Sequence, residues 1–152
     1  MKNIFFDNAN LSDLPALCNL LNILFNIEQD FQPDLEKQMV GLTLILNSPS
    51  NAVIKVARID DGEIIGMVSA QLLISTSQGT PSAWIEDMVM NEQYRAQGIG
   101  RMLLDIALDW AKQKGATRAQ LLVDLDNQPA LGYYTHLGWQ SSRMGMLRLL
   151  IK

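Results

Sequence analysis

Gly98 and Gly100 stand one residue apart where a strand-like run gives way to a helix-like one. The first turn of a helix has N–H groups with no partner within the helix, and its end of the helix dipole is positive. Glycine lets an anion come close to that backbone. Residues Gln97 to Arg101 therefore form a candidate phosphate cradle, and the competing reading is a tight turn before a helix. Two nucleotide motifs are excluded by detail. A dinucleotide fingerprint needs a third glycine where Leu103 stands, and a Walker loop needs Lys-Ser/Thr where Arg101-Met102 follow the glycine. Other chemistries are limited by count. There is one cysteine, Cys18, so neither an intramolecular disulfide nor a Cys/His zinc cluster can form. The single histidine, His136, excludes any two-histidine site, and no serine sits in a G-x-S-x-G elbow.

The chain of 152 residues suits one domain, 1–152, with an ordinary globular balance of 48% hydrophobic and 18% charged residues. Its net charge of −4 argues against nucleic acid as a partner and is compatible with a cationic substrate. The start, Met1 to Asp7, turns polar too soon for a signal peptide, and no apolar run reaches membrane-spanning length. The expectation is a cytoplasmic protein with no membrane partner.

The elements that must hold the cradle follow from periodicity. Ile4-Phe5-Phe6 reads as a short strand. Ser12 or Asp13 can cap a helix with Pro15 in its first turn, carrying Leu14, Leu17, Leu21, Leu24 and Phe25 at helical spacing. Asn26 to Gln32 reads as a loop. Pro33-Asp34 opens a second helix with Leu35, Met39, Leu42 and Leu46 on one side. Ala52 to Ile59 and Ile64 to Ser75 are strands around the hairpin residues Asp60-Asp61-Gly62-Glu63. Ala83 to Met90 is a third strand of this group. A helix from Gly100 to about Lys114 puts Leu103, Ile106, Ala107 and Trp110 inward, with Gly115 as its stop. Arg118 to Leu125 is a strand, Asn127 to His136 a short helix, and Gly138 to Ser141 and Met144 to Ile151 are closing strands. The order is that of a mixed sheet with helices on both faces.

Arg95-Ala96-Gln97-Gly98-Ile99-Gly100 resembles the [Gln/Arg]-x-x-Gly-x-[Gly/Ala] signature of the GNAT superfamily of acyl-CoA N-acyltransferases. Its flanks resemble that family too. Trp84 to Met90 looks like the central strand, and Asn127 to Trp139 looks like the Asn-x-x-Ala-x-x-[Phe/Tyr]-Tyr-x-x-x-Gly-[Phe/Trp] segment, so the resemblance covers about residues 83 to 140. It implies an α/β (α+β) fold: a mixed, mostly antiparallel central sheet of about 6–7 strands with helices on both faces. It implies acetyl-CoA as co-substrate and transfer to a primary amine of a small molecule or peptide by direct attack in a ternary complex. Two other readings stand beside it, a non-catalytic acyl-CoA sensor and an interaction module with a degenerate site.

Carried onto this sequence, the resemblance implies specific roles. Met88, Val89 and Met90 would offer backbone to the pantetheine arm, and an N–H of Met88 or Val89 would face the thioester oxygen. Gln97, Gly98, Ile99, Gly100 and Arg101 would hold the pyrophosphate. Arg95 or Arg101 could add charge there, or be solvated surface residues. Asn127 corresponds to a position that often touches the cofactor, and it can also cap its helix. Tyr134 occupies the general-acid position, where a hydroxyl of reference pKa about 10 can protonate the departing thiolate. It could instead only pack or hydrogen-bond the sulfur. Tyr133 is expected in the core. Glu86 is the candidate base, directly or through water, or a carboxylate that binds the cationic substrate. Asp87 points to the other face if the strand is regular, so which of the two reaches the cleft depends on where the strand bulges. Asp124 and Glu28 are lesser candidates. Trp84 shares the Glu86 face and could line the acceptor pocket. The loop with Glu28, Asp30 and Phe31 would shape the acceptor site. The family usually has glycine where Ala96 stands, and alanine fits there if its backbone keeps a common conformation. Homodimers are frequent in such folds, and Met146 to Ile151 could serve an interface or the core.

Overall fold

The structure, a computed structural model, describes residues 2–28 and 32–152. Asp30 and Phe31, expected at the acceptor site, lie outside the described residues. The elements are β1 (Ile4–Asn8), α1 (Leu14–Ile27), α2 (Leu35–Leu46), β2 (Ala52–Ile59), β3 (Ile64–Ser75), β4 (Thr80–Met90), α3 (Ile99–Gln113), β5 (Arg118–Leu121) and α4 (Gln128–His136). They fall into two units, Met1–Leu122 and Val123–Lys152.

The first unit holds a five-stranded sheet in chain order, with β1 to β4 antiparallel and β5 parallel to β4. β2 and most of β3 are buried on both faces, which explains their nearly continuous apolar runs. On one face Ile54, Val56, Met67 and Val89 pack with Leu17, Cys18, Leu20 and Leu21 of α1 and Leu42 of α2. On the other, a side chain at Gly66 would run into Met90 and approach Leu103, so this glycine lets α3 lie close on the sheet. Leu103, Leu104, Ala107 and Ala111 form the buried stripe of α3. Trp110 is half-buried rather than core, with the Lys114 ammonium 6.0 Å from its ring centre.

The start of α1 departs from expectation. Asn10 caps a preceding 3-10 turn, Leu11–Asp13, and Asp13 makes no side-chain cap to α1. Its carboxylate instead accepts two bonds from the Arg58 guanidinium, at 3.0 and 2.7 Å. That guanidinium holds the Asp13 carboxyl below its ordinary pKa against the opposing effect of burial. This stabilisation is present above the unfolded carboxyl pKa and is lost as pH falls through the lowered folded value. In α2 the inward position expected of Leu35 is not taken, since Leu35 is exposed, while Gln38 is buried. Gln38 is tolerated there because it donates to Asn22 Oδ1 at 3.1 Å and accepts from the Asp34 N–H at 2.7 Å.

Among the described residues the sheet has five strands, not 6–7. Gly138 to Ser141 and Met144 to Ile151 form no strand, and β5 stops at Leu121 rather than Leu125. A strand is a paired object, and an apolar run supplies propensity but no ladder partner. Met144, Leu147, Leu149, Leu150 and Ile151 are 80–98% exposed, so this run is not core. The second unit retains α4 as its one regular element. Among the described residues no helix is long and apolar enough to cross a membrane.

Candidate active site

β4 carries an irregularity where the sequence left a choice open. Its pairing with β3 passes from Ser69↔Glu86 to Met67↔Val89, so Asp87 and Met88 together oppose Val68. This is a β-bulge on β4. Asp87 takes a φ of +54°, a left-handed conformation that aspartate tolerates better than most residues. The bulge also resets the alternation of side chains. Ser69 and Met67 are two apart on β3 and share a face, so their partners Glu86 and Val89 share it too. In a regular strand those two would point apart. Glu86 and Asp87 therefore both reach the α1–α2 side.

Their surroundings differ. Glu86 is exposed, its carboxylate accepts from the Trp84 indole N–H, and its carbonyl accepts from the Ser69 hydroxyl at 3.0 Å. Asp87 is half-buried and lines a cavity of about 270 Å³ against Leu21 and Phe25 of α1 and Leu42 and Ile45 of α2. Burial pushes the Asp87 carboxyl up to about 7, and the charges of Glu86 and Glu28 push the same way. Glu28 follows the last turn of α1, an end where a helix dipole disfavours a carboxylate. A wider cleft of about 570 Å³ between α3 and β5, lined by Leu108, Ala111, Lys112 and Arg118, holds none of the candidate residues.

β5 pairs only with Ser82–Ile85, so Glu86 to Met90 have no β5 partner. Unpaired strand backbone is a ready template for an extended ligand. Val89 is buried and Met90 packs at Gly66, so these two can offer a ligand only their backbone.

Beyond Met90 the chain makes a 3-10 turn, Glu92–Tyr94, capped by Asn91, and then enters α3. Arg95 Nε donates to the Met90 carbonyl at 3.3 Å, and Gln97 Nε2 to the Gln93 carbonyl at 3.4 Å. Gly98, at φ +79°, is the N-cap and has no side chain to satisfy the first-turn N–H groups. The first turn holds no acidic residue, and Arg101 in it is exposed. Ile99 is buried, so its share in an anion site is its backbone N–H alone. Ala96 does not keep a common conformation: its φ is +61°. Left-handed backbone costs a Cβ-bearing residue about 1–2 kcal/mol, and glycine returns part of that as unfolded-chain entropy. Ala96→Gly is expected to stabilise the protein by about 0.5–1 kcal/mol, read as a higher denaturant midpoint.

In the second unit the Asn127 side chain caps α4 by accepting the Ala130 N–H at 3.2 Å. Tyr134 is half-buried. Its ring meets Trp139 edge-on at 5.9 Å and Tyr133 at 5.3 Å, contacts that restrict its rotation. Tyr133 is exposed and not core. Asp124 and His136 are exposed.

A model of the acetyltransferase (GNAT) family matches residues 15–139. The chain belongs to this family. Among its GNAT relatives, streptothricin acetyltransferase of Streptomyces lavendulae is 33% identical over 79 residues, 52% of this chain and 40% of that protein. An uncharacterised N-acetyltransferase of Methanocaldococcus jannaschii is 28% identical over 93 residues, 59% of this chain and 41% of that protein. The chain thus spans less than half the length of these two relatives. An aminoglycoside N-acetyltransferase solved in complex with CoA superimposes with a TM-score of 0.85 at 16% identity, covering 99% of this chain and 96% of that one, and so shares the fold.

In this GNAT chain the sequence favours Glu86 as base and leaves Asp87 dependent on where the strand bulges. The available signal was the Glu86-Asp87 pair itself, together with the tolerance of aspartate for a left-handed backbone. The register that makes the bulge is set by β3 and is not written locally.

Proposed function

We propose that this GNAT-family chain transfers the acetyl group of acetyl-CoA to a primary amine by direct attack within a ternary complex. The observation that carries the reading is the bulge in β4. It sets a half-buried carboxyl, pushed up to about 7, on a strand whose residues Glu86 to Met90 have no β5 partner. A base with that pKa is matched to neutral pH. Asp87 takes the proton of the amine, directly or through a water. The base role first given to Glu86 is better suited to Asp87, and Glu86 contributes charge that attracts the cation. The amine nitrogen then bonds to the thioester carbonyl carbon, and the carbon–sulfur bond breaks. A backbone N–H of Met88 or Val89 stabilises the negative charge that develops on the carbonyl oxygen, an effect worth about 3 kcal/mol where donors are preorganised. Backbone N–H groups from Gln97 to Arg101 hold the pyrophosphate, with Arg95 and Arg101 supplying charge and Asn127 a further contact.

Tyr134 protonates the departing sulfur, a role supported by its family position and by its packing against Trp139. A thiolate is already a fair leaving group, so the gain lies below the usual range of acid catalysis. Tyr134→Phe is expected to lower kcat about tenfold with little change in the KM for acetyl-CoA. An unchanged kcat would remove the acid role.

The exposed apolar side chains between residues 144 and 151 support self-association as part of this reading. The experiment that tests direct transfer is a single turnover with acetyl-labelled acetyl-CoA. Label should move to the amine with none on the protein. Label retained on the protein would contradict direct attack. A thermal shift with acetyl-CoA but no transfer to any amine would instead favour an acyl-CoA sensor.

A further inference from the structure

The cavity beside Asp87 carries information on the acceptor that the family does not. It is lined by Leu21 and Phe25 of α1, by Gly41, Leu42 and Ile45 of α2, by the polar residues Gln32, Asp34, Lys37 and Gln38, and by Asp87 from the sheet. The polar groups around it are largely committed. Gln38 is bonded to Asn22 and to the Asp34 backbone. The Asp34 carboxylate caps α2 by accepting the Lys37 N–H at 3.1 Å. No hydrogen bond to the Asp87 carboxyl occurs among the described residues. Glu28 and Glu86 add negative charge around that one carboxyl. Negative charge is thus concentrated at the bulge, Leu21, Phe25, Leu42 and Ile45 make an apolar wall, and Asp34 and Lys37 line the cavity from the start of α2. At about 270 Å³ the space is at the lower end of small-molecule sites.

Resting on the acetyltransferase reading, we infer that the acceptor is a primary monoamine on a compact apolar body, its nitrogen at Asp87 and its body between α1 and α2. A polycation would have to bring further charges against Leu21, Leu42 and Ile45 and beside the like-charged Lys37, with the Asp34 carboxylate already engaged in capping α2, which is costly. An aryl or branched alkyl group gains from leaving water there.

The test compares amine-dependent release of free thiol from acetyl-CoA for phenethylamine, ethylamine, spermidine and kanamycin, with parent protein and with Gly41→Leu. A side chain at Gly41 meets nothing within 4 Å, so leucine enters open space and improves helix propensity. Phenethylamine should exceed spermidine and kanamycin in kcat/KM by tenfold or more. Gly41→Leu should lower the phenethylamine-to-ethylamine ratio about tenfold. A thermal melt of the variant confirms its folding, and the parent panel stands on its own if it fails. A preference for spermidine or kanamycin, or an unchanged ratio in a folded variant, overturns this inference and leaves acetyl transfer standing. No thiol release with any amine overturns both.

Discussion

Asp87→Asn is expected to lower kcat/KM for acetyl transfer by about 10²–10³ at pH 8, while making the protein more stable at that pH. The loss follows from removing the base. The gain follows from the environment that makes the base effective. The folded pKa of about 7 lies above the ordinary aspartate value because burial disfavours the charge and because Glu86 and Glu28 repel it. A carboxyl raised in this way contributes stability that is fully present below its unfolded pKa. That contribution is lost as pH rises through about 7. Asparagine never ionises, so it escapes the loss, by at most about 4 kcal/mol. It also suits the left-handed backbone at this position. In the parent, kcat/KM should rise with pH through an inflection near 7. The inflection should vanish in Asp87→Asn and move to lower pH in Glu86→Gln, which removes a repelling charge. If Glu86→Gln shows the large loss and Asp87→Asn does not, the base is Glu86. The measurements are pH–rate profiles and denaturant melts at pH 5 and pH 8.

Arg101→Glu should raise the KM for acetyl-CoA tenfold or more, with kcat little changed and the protein no less stable. Arg101 stands in the first turn of α3, at the positive end of the dipole, in a turn with no acidic residue and no side-chain cap. A cation there is unfavourable by itself and sensible opposite an anion. Glutamate reverses both terms. The helix gains about 0.3–1 kcal/mol, while the phosphates meet a negative charge. Calorimetric titration with acetyl-CoA and chemical melts read the two effects separately, and an unchanged affinity would remove Arg101 from the cradle. The pairing of lost function with retained or increased stability is shared with Asp87→Asn. It is the mark of residues kept against the preference of the fold.

Legibility in the sequence followed how local each signal is. β2 and β3 have the expected bounds, because their β-branched runs end at Asn47 to Asn51 and at Asp60 to Glu63. α3 is delimited by Gly98 and Gly115, which need positive φ at its two ends. The proposed phosphate cradle rests on the same two-glycine junction, Gly98 to Gly100. What depended on partners was not legible. The run from Met144 to Ile151 has strand composition but no ladder, so it forms no strand. The bulge at Asp87 comes from a mismatch in pairing with Met67 and Ser69, some twenty residues away in sequence. Ala96 was expected to fit only with a common backbone conformation, and its φ of +61° shows the loop kept the shape a glycine would favour.

In the proposed reaction the chain moves acetyl from acetyl-CoA to an amine with Asp87 as base. The most direct measurement is the rate of free-thiol release from acetyl-CoA, with and without phenethylamine, across pH 6 to 9, with the product identified by mass spectrometry. The account predicts amine-dependent release that rises through an inflection near 7 and yields the N-acetylated amine. Thiol release that is independent of amine, or tight acetyl-CoA binding with no acetylated amine at any pH, would contradict it.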